Sequence, residues 1–285
     1  MKGQITFDLL RDCVESLIAN GFPADQMEII VVDMGDCNVT RDVLSRFQAH
    51  GVLMRVVPIA RKGLNYARNV GIKNAQGDII AFIDHDEIIP PGIMGTLVSN
   101  LISHPEAVAV GGWYRGRVEG IPPRHFWCGR EILGEGAPGS LETDRVQEVN
   151  DLPGGVVVVW RDAFRRYGLF DERIAGPGDD RVWFRKVSRQ GGKLLFDPKA
   201  WVWHRKSADM YNILKLVRSA IWYGSGMGKA DAIVGECVPF SSCLRQALGF
   251  LKHALFCRCR FGLSSFLGTI AYIVAYIFWK IKLNL

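Results

Sequence analysis

Two short runs of apolar, β-branched residues, each ending in an aspartate, constrain the fold of this chain more than any other feature. They are residues 27–33 (MEIIVVD) and 79–84 (IIAFID), and such runs are typical of strands buried in a sheet. Helices are predicted at 9–19, 40–50, 64–75, 161–167 and 181–190, and further strands at 54–58, 107–113, 194–196 and 199–203. This alternation predicts an α/β protein with a doubly wound, mainly parallel sheet. Because ligands bind at the carboxyl ends of such strands, Asp33 and Asp84 are expected at the site.

The charge of the chain is distributed unevenly. The 285 residues carry 35 basic and 29 acidic side chains, a formal charge of +6, but residues 237–285 contain no acid and six bases. Residues 1–236 are therefore neutral overall, which argues against a body that binds nucleic acid. With 48% hydrophobic and 22% charged residues, the composition also excludes a disordered chain. We divide the sequence into a body, 1–236, and a basic, apolar tail, 237–285.

The tail has the composition of a membrane element. Residues 261–279 contain no charge, and a helix of that length spans about 28 Å, close to the thickness of a bilayer core. Before it, leucines at 244, 248, 251 and 255 share one face of an amphipathic helix. The tail is predicted to be transmembrane or membrane-associated; the alternative is a C-terminal core helix packed on the body. No N-terminal targeting run is found, and more basic residues precede the span than follow it, so the body is expected in the cytoplasm.

The acidic tetrapeptide Asp84-His85-Asp86-Glu87 directly follows the second apolar run. The chain must turn there, because four polar side chains cannot continue into the core. Carboxylates at positions i and i+2 suit a hard divalent cation, Mn²⁺ or Mg²⁺, that also holds phosphate oxygens. The alternative is an acidic turn that caps the following helix.

A second acidic pair, Asp179-Asp180, follows Gly176-Pro177-Gly178 at the start of a predicted helix. A carboxylate at a helix start can serve as a cap, and this role suits Asp179. Asp180 is the predicted general base, since crowding of two carboxylates favours proton uptake by one of them. His204, at the end of another predicted strand, is a candidate metal ligand, with a purely structural histidine as the alternative.

Taken together, the motifs resemble glycosyltransferase family 2. They are Ile30-Val31-Val32-Asp33, residues 62–71 (KGLNYARNVG), residues 75–86 (AQGDIIAFIDHD), residues 167–172 (YGLFDE) and Gly178-Asp179-Asp180. The resemblance implies a GT-A fold and an inverting transfer from a nucleotide sugar. It also implies that Asp33, Gly63, Arg68 and Asp84 bind the donor, that Asp86 and His204 bind the metal, and that Asp180 is the base. Arg68 is equally compatible with a structural ion pair.

Two departures from the family pattern bear on activity. The strand that usually opens the domain is predicted to be absent, because the chain begins with a predicted helix; a misassigned start, a truncated product or a minimal strand at residues 4–7 would each explain this. The QxxRW motif of processive synthases is also missing, which favours single additions. The acceptor is expected to be a glycan or lipid-linked intermediate. The alternatives are an inactive GT-A-like scaffold protein and, more remotely, a nucleotidyltransferase.

Overall fold

The computed structural model describes residues 2–35, 37–60, 63–120, 145–174, 176–236, 239–256 and 260–283. The chain forms two compact units. So far as their residues are described, the first comprises Met1–Arg115, Ala137–Glu172 and Trp183–His204, and the second comprises Gly116–Gly136, Arg173–Val182 and Arg205–Leu285. The expected boundary between body and tail, after residue 236, stays a prediction. The segments on either side of it, 205–236 and 237–285, belong to the same unit.

Strands and helices alternate over much of the described chain, as predicted, but the strands at 87–88, 147–149 and 156–160 were not predicted from the sequence. The helices are α1 (Lys2–Ile18), α2 (Cys37–Ser45), α3 (Leu64–Asn74), α4 (Ile93–Ser103), α5 (Ala163–Tyr167), α6 (Asp179–Arg189), α7 (Ile213–Val234), α8 (Phe240–Phe256) and α9 (Arg260–Lys282). The strands are β1 (Glu28–Asp33), β2 (Leu53–Pro58), β3 (Ile79–Ile83), β4 (Glu87–Ile88), β5 (Ala107–Glu119), β6 (Gln147–Val149), β7 (Val156–Trp160) and β8 (Lys193–Ser207).

The strands form two sheets, and the expectation of one mainly parallel sheet is wrong. β1 and β2 form a parallel pair, in register from Glu28 opposite Leu53 to Asp33 opposite Pro58. The other sheet has the order β3-β7-β5-β8-β4, with β6 also paired to β8. Within it, β3 and β5 each run antiparallel to β7, and β4 and β6 each run antiparallel to β8. The parallel arrangement was inferred from the alternation of predicted strands and helices, and each of these antiparallel pairs includes a strand that was not predicted, β4, β6 or β7, which explains the error.

Strand β7 shows why this sheet is a buried layer. Val157 and Val159 join one apolar cluster, together with side chains of α5 and α6, whereas Val156 and Val158 join another, together with α4. Successive side chains of a strand point to opposite faces, so helices cover both faces of the sheet. A third cluster packs α1 and α2 against β1 and β2.

The N-terminal segment is helical. Since α1 begins at Lys2, the suggestion that residues 4–7 form a minimal strand is wrong. The first strand of the described chain is β1, and the absence of the family's opening strand stays a prediction.

The second unit contains the long helices α7, α8 and α9. A Cβ on Gly224 or Gly228 of α7 would collide with backbone atoms of Gly268 or Tyr272 of α9, so these two helices touch through their backbones. Among the described residues, one segment, Leu263–Lys282, is long and apolar enough to cross a membrane, with a mean hydropathy of 1.4 and 11% of its residues buried. Helix α9 thus packs on α7 along one side and exposes apolar side chains along another, including Val274, Phe278 and Ile281.

Candidate active site

The acidic turn lies where the sequence predicts it, directly after β3. The backbone N–H of Asp84 donates to Glu87 Oε2 at 3.1 Å, and the N–H of Glu87 donates to the carbonyl of Asp84 at 3.1 Å. Glu87 then enters β4, opposite His204 of β8, and its side chain is fully buried. The turn is therefore closed by its own last acid, which leaves Asp84 and Asp86 at the end of the strand.

Asp86 and His204 meet at this edge of the sheet. Nε2 of His204 lies 3.3 Å from Oδ2 of Asp86, and both side chains are largely buried. The imidazole also lies against the ring of Tyr114, with 5.2 Å between ring centroids. Its Nδ1 is buried and has no hydrogen-bond partner among the described residues. The structure thus brings together two of the predicted metal ligands, although they are 118 positions apart in the sequence.

Gly155 packs directly against the side chains of the acidic turn and Tyr114. A Cβ at this position would lie 2.6 Å from Glu87 Oε1, 2.8 Å from Asp84 Oδ2 and 2.9 Å from the hydroxyl of Tyr114. Its backbone N–H donates to that hydroxyl at 2.9 Å. Only a residue without a side chain allows this approach, so Gly155 is part of the architecture of the acidic turn.

The donor set of this edge fits a divalent cation that is shared with a ligand. Among the described residues, no group of three or more His, Cys, Asp and Glu side chains has the arrangement of a metal site. Asp86 and His204 form a pair, and their carboxylate and imidazole are both suitable ligands for Mn²⁺. Metal ions that work on phosphates are often held by few protein ligands and complete their shell with phosphate oxygens and water. The pair therefore fits such an ion.

Cys13, which the sequence did not single out, lies beneath the turn. Its thiol is buried and contacts the carbonyl of Asp84, with Sγ 3.5 Å from the oxygen. Burial raises the pKa of the thiol well above its usual range, and the nearby charges of Glu87, Asp86 and Asp84 raise it further. The thiol is therefore neutral and serves as a packing group beneath the turn.

Asp33 lies at the end of β1, as predicted, and its carboxylate organises the next turn. Oδ1 accepts from the N–H of Gly35 at 2.6 Å and Oδ2 accepts from the hydroxyl of Thr40 at 2.6 Å. The predicted contact with a nucleotide base stays a prediction.

Gly63 and Arg68 belong to the start of α3. Gly63 has φ 107°, a conformation that favours glycine, and it immediately precedes the helix. Arg68 is buried; its Nη1 donates to Asn65 Oδ1 at 3.3 Å, and its guanidinium lies 5.5 Å from the centroid of the Phe170 ring. These contacts hold the guanidinium in the interior of the first unit, whereas the expected ion pair of Arg68 and donor binding by either residue stay predictions. Lys62, with which this motif begins, lies outside the described residues.

Two asparagines of α3, missed by the sequence reasoning, hold the segment that follows α5. Asn65 Nδ2 donates to the carbonyl of Asp171, and Asn69 Nδ2 donates to the carbonyl of Phe170 and to Glu172 Oε1, each at 2.9 Å. The two amides in the predicted helix 64–75 could have indicated this contact, because polar side chains on a buried helix need hydrogen-bond partners elsewhere in the chain.

Asp180 belongs to the second unit, in the first turn of α6. Asp179 is buried and its Oδ1 accepts from the N–H of Asp180, whereas Asp180 is half-buried and its Oδ1 accepts from the N–H of Arg181, both at 2.8 Å. The guanidinium of Arg181 donates from Nε to Asp231 Oδ1 of α7 at 2.9 Å. The greater exposure of Asp180 is compatible with its predicted contact with an acceptor.

Comparison with known proteins finds glycosyltransferases among the relatives of this chain. A family model described as glycosyl transferase family 2 matches residues 6–168, more than half of the chain. The glucosyl-dolichyl phosphate glucuronosyltransferase of Haloferax volcanii is 24% identical over 233 residues, which cover 76% of this chain and 71% of that protein. The chain spans less than half the length of several other curated glycosyltransferases that it matches.

Solved structures share the fold. The mannosyltransferase PcManGT of Pyrobaculum calidifontis, in complex with GDP-Man and Mn²⁺, matches with a TM-score of 0.57 and 18% identity over 95% of this chain and 83% of that chain. TarS 1–349 of S. aureus, in complex with UDP, matches with a TM-score of 0.57 and 13% identity over 97% of this chain and 89% of that chain. At these identities the likeness concerns the fold, which is a GT-A-like α/β arrangement with mixed strand directions.

Proposed function

The chain belongs to glycosyl transferase family 2, and we propose that it is an inverting, metal-dependent enzyme that moves a sugar from a nucleoside diphosphate to an acceptor hydroxyl. The observation that carries this proposal is the Asp86–His204 pair at the edge of the sheet, with Asp84 and Gly155 beside it. The nucleotides and Mn²⁺ in the structural relatives support a nucleotide-sugar donor and a divalent cation.

In this proposal the first unit holds the donor. Asp86 and His204 would hold Mn²⁺ or Mg²⁺, which when bound neutralises negative charge on the diphosphate. Asp84 orients the donor beside this pair, Asp33 meets the nucleotide base at the end of β1, and Gly63 lets the backbone approach the donor. Arg68, in the helix that follows Gly63, is proposed to take part in donor binding as well.

Asp180 acts on the acceptor. Its carboxylate removes the proton of the acceptor hydroxyl while that oxygen forms a bond to the anomeric carbon. The bond from the anomeric carbon to the phosphate oxygen breaks at the same time, and the nucleoside diphosphate leaves with the electron pair. Attack from the face opposite the leaving group inverts the anomeric configuration.

The acceptor is proposed to be a lipid-linked or cell-surface glycan intermediate. The name of the Haloferax relative includes a dolichyl phosphate, which supports a lipid-linked acceptor. The second unit exposes apolar side chains on three helices, including Trp222 of α7, Leu248 of α8 and Phe278 of α9. The basic residues of 237–285 would favour an anionic membrane surface, and the body is proposed to lie on its cytoplasmic side.

The test is a transfer assay with full-length protein in lipid nanodiscs. Radiolabelled UDP-glucose, UDP-glucuronic acid and GDP-mannose are each incubated with Mn²⁺ and either polyprenyl phosphate or a glycosylated polyprenyl phosphate. We expect one donor to label the lipid fraction, EDTA to abolish labelling, and proton NMR of the product to show the anomeric configuration opposite to that of the donor.

Two variants separate donor binding from chemistry. Asp180→Asn should retain donor binding by calorimetry and lose transfer, whereas Asp86→Asn should lose both metal-dependent donor binding and transfer. A wild-type protein that binds none of the nucleotide sugars in the presence of Mn²⁺ would favour the inactive scaffold protein instead.

A further inference from the structure

A buried carboxylate in α7 connects the proposed base with the tail helix. Asp231 is 3% exposed, so its charge is stable only if hydrogen bonds replace the lost water. Each of its oxygens has a donor from a different segment: Nε of Arg181 lies 2.9 Å from Oδ1, and the hydroxyl of Tyr272 lies 2.8 Å from Oδ2. The three residues form a network within the second unit, from α6 through α7 to α9.

The α6 end of this network is the turn that carries Asp180. The backbone N–H of Arg181 donates to Oδ1 of Asp180 at 2.8 Å, so the residue that binds Asp231 through its side chain also holds the proposed base through its backbone. The second unit holds the preceding loop equally closely. A Cβ on Gly178 would lie 2.7 Å from Cβ of Ala230, one position before Asp231. Movement of α7 near Ala230 and Asp231 would therefore move the first turn of α6, which carries Asp180.

The α9 end of the network is fixed by backbone packing. Gly228 of α7 lies so close to Tyr272 that a Cβ on it would collide with the carbonyl of that residue. A close approach of this kind leaves the two helices little freedom to slide, because backbone atoms cannot rearrange as side chains do. The Tyr272 hydroxyl is thus presented to Asp231 in a defined position.

We propose that Asp231 and Tyr272 are positioning residues for Asp180, so that the tail helix takes part in catalysis as well as in membrane binding. The proposal rests on the proposed function, in which Asp180 removes the acceptor proton. A general base must lie within hydrogen-bond reach of the proton that it accepts, and displacements of about 1 Å can cost up to 100-fold in rate. Loss of the Tyr272 hydroxyl leaves Asp231 with one donor fewer and loosens the anchor of Arg181.

The test compares Tyr272→Phe with Tyr276→Phe in the full-length protein in nanodiscs. Tyr276 is the matched control, because it lies one turn further along α9, with its ring stacked on Tyr272 at 6.3 Å, and its hydroxyl accepts from Lys280 instead of donating to Asp231. We expect Tyr272→Phe to lower kcat by about 10-fold, equivalent to about 1.4 kcal/mol of activation free energy, with the donor KM unchanged. Tyr276→Phe should retain the wild-type kcat. Rates are normalised to donor-binding sites titrated with UDP or GDP, so that unfolded protein does not count.

Asp231→Asn is the second variant and should show the same loss of kcat without a change in donor KM. Equal kcat values for wild type, Tyr272→Phe and Asp231→Asn, per titrated site, would refute the positioning role and leave the proposed function intact. A parallel change of kcat and donor KM would also refute it, because that pattern indicates a general structural role. A wild-type protein that binds donor but transfers no sugar would refute the proposed function, and the positioning role with it.

Discussion

The substitution Gly155→Ala tests whether the acidic turn is held by close packing. The new Cβ would lie within 2.6–2.9 Å of oxygens on Glu87, Asp84 and Tyr114, where ordinary contacts begin near 3.4 Å. Each oxygen would have to move by about 0.5 Å or more. The backbone of Gly155 has little room to move instead, because its N–H donates to the Tyr114 hydroxyl and the next residue begins β7. Relief by movement of Glu87 would weaken its hydrogen bond from the N–H of Asp84, because this carboxylate is fully buried.

The cost can be estimated from these two effects. Insertion of one methyl group into a packed site costs about 1–3 kcal/mol, and a weakened hydrogen bond to a charged group adds about 1 kcal/mol. We therefore expect Gly155→Ala to lower the free energy of unfolding by about 2–4 kcal/mol, measured by urea denaturation, and to lower transfer activity by more than 10-fold under conditions in which the protein is folded.

Gly95→Ala provides the matched control in the same unit. Gly95 lies within α4, and a Cβ there would meet no atom within 4 Å. Because alanine favours the helix, this variant should gain up to about 1 kcal/mol of stability and keep full activity. Wild-type stability and turnover in Gly155→Ala would show that the close approach to the three oxygens does not constrain the site.

Four further substitutions address the metal pair, Asp86 and His204, and two titrating groups, Glu28 and Cys13. His204→Ala should weaken Mn²⁺-dependent donor binding by more than about 10-fold, measured by calorimetry, and Asp86→Asn should weaken it further; unchanged Mn²⁺ dependence in both would exclude the pair as ligands. Burial opposes ionisation of Glu28, but hydrogen bonds from the N–H of Gln76 and from Arg55 outweigh this effect and lower the pKa of the carboxyl. The ionised carboxylate should therefore stabilise the protein above about pH 4.3, and this stabilisation should vanish as the pH falls through the lowered pKa. The difference in unfolding free energy between wild type and Glu28→Gln, measured by denaturation at several pH values, should shrink over the same range. The pKa of Cys13 is raised, so the pH dependence runs in the opposite direction: wild type should lose stability relative to Cys13→Ala as the pH rises above about 8.5. A constant difference in stability up to about pH 10 would contradict the burial of a neutral thiol.

The sequence predicted strands at the positions of β1, β2, β3, β5 and β8, but it missed β4, β6 and β7 and did not show how the strands pair. The runs at 27–33 and 79–84 correspond closely to β1 and β3, because composition and length reflect burial. Strand β7 was not predicted, and its direction could not have been read from the sequence, since four consecutive valines look alike in parallel and antiparallel sheets. Strand β8 was expected as two strands, 194–196 and 199–203, but it is continuous from Lys193 to Ser207. Pro198 lies outside the residues of β8 that pair with β6 and β4.

The acids of the candidate site were predictable, whereas the residues that shape it were not. Asp84 and Asp86 follow a recognisable strand, so local sequence indicates their position at its end. The contributions of Cys13, Tyr114 and Gly155 depend on contacts between distant parts of the chain. The signal that was available for Gly155 is a pair of consecutive glycines directly before an apolar strand, where a close backbone approach is a common reason for glycine.

The polar contacts of α9 limit how deeply this helix could enter a membrane. Tyr272 lies at the middle of the candidate span, Leu263–Lys282, and its hydroxyl donates to Asp231. Asp231 is in turn paired with Arg181, which follows Asp180 in the first turn of α6. If α9 crossed the bilayer with these contacts intact, an ion pair and the loop that carries the proposed base would lie at the centre of the hydrocarbon, where each charge costs about 2.5–3.5 kcal/mol or more. The same contacts are compatible with a helix that lies along the membrane surface, because Val274, Phe278 and Ile281 are exposed while the Tyr272 side stays against α7. An interfacial helix also keeps the proposed base in water and within reach of a lipid-linked hydroxyl, so the packing that makes Tyr272 a positioning residue is the same packing that argues against a transmembrane span.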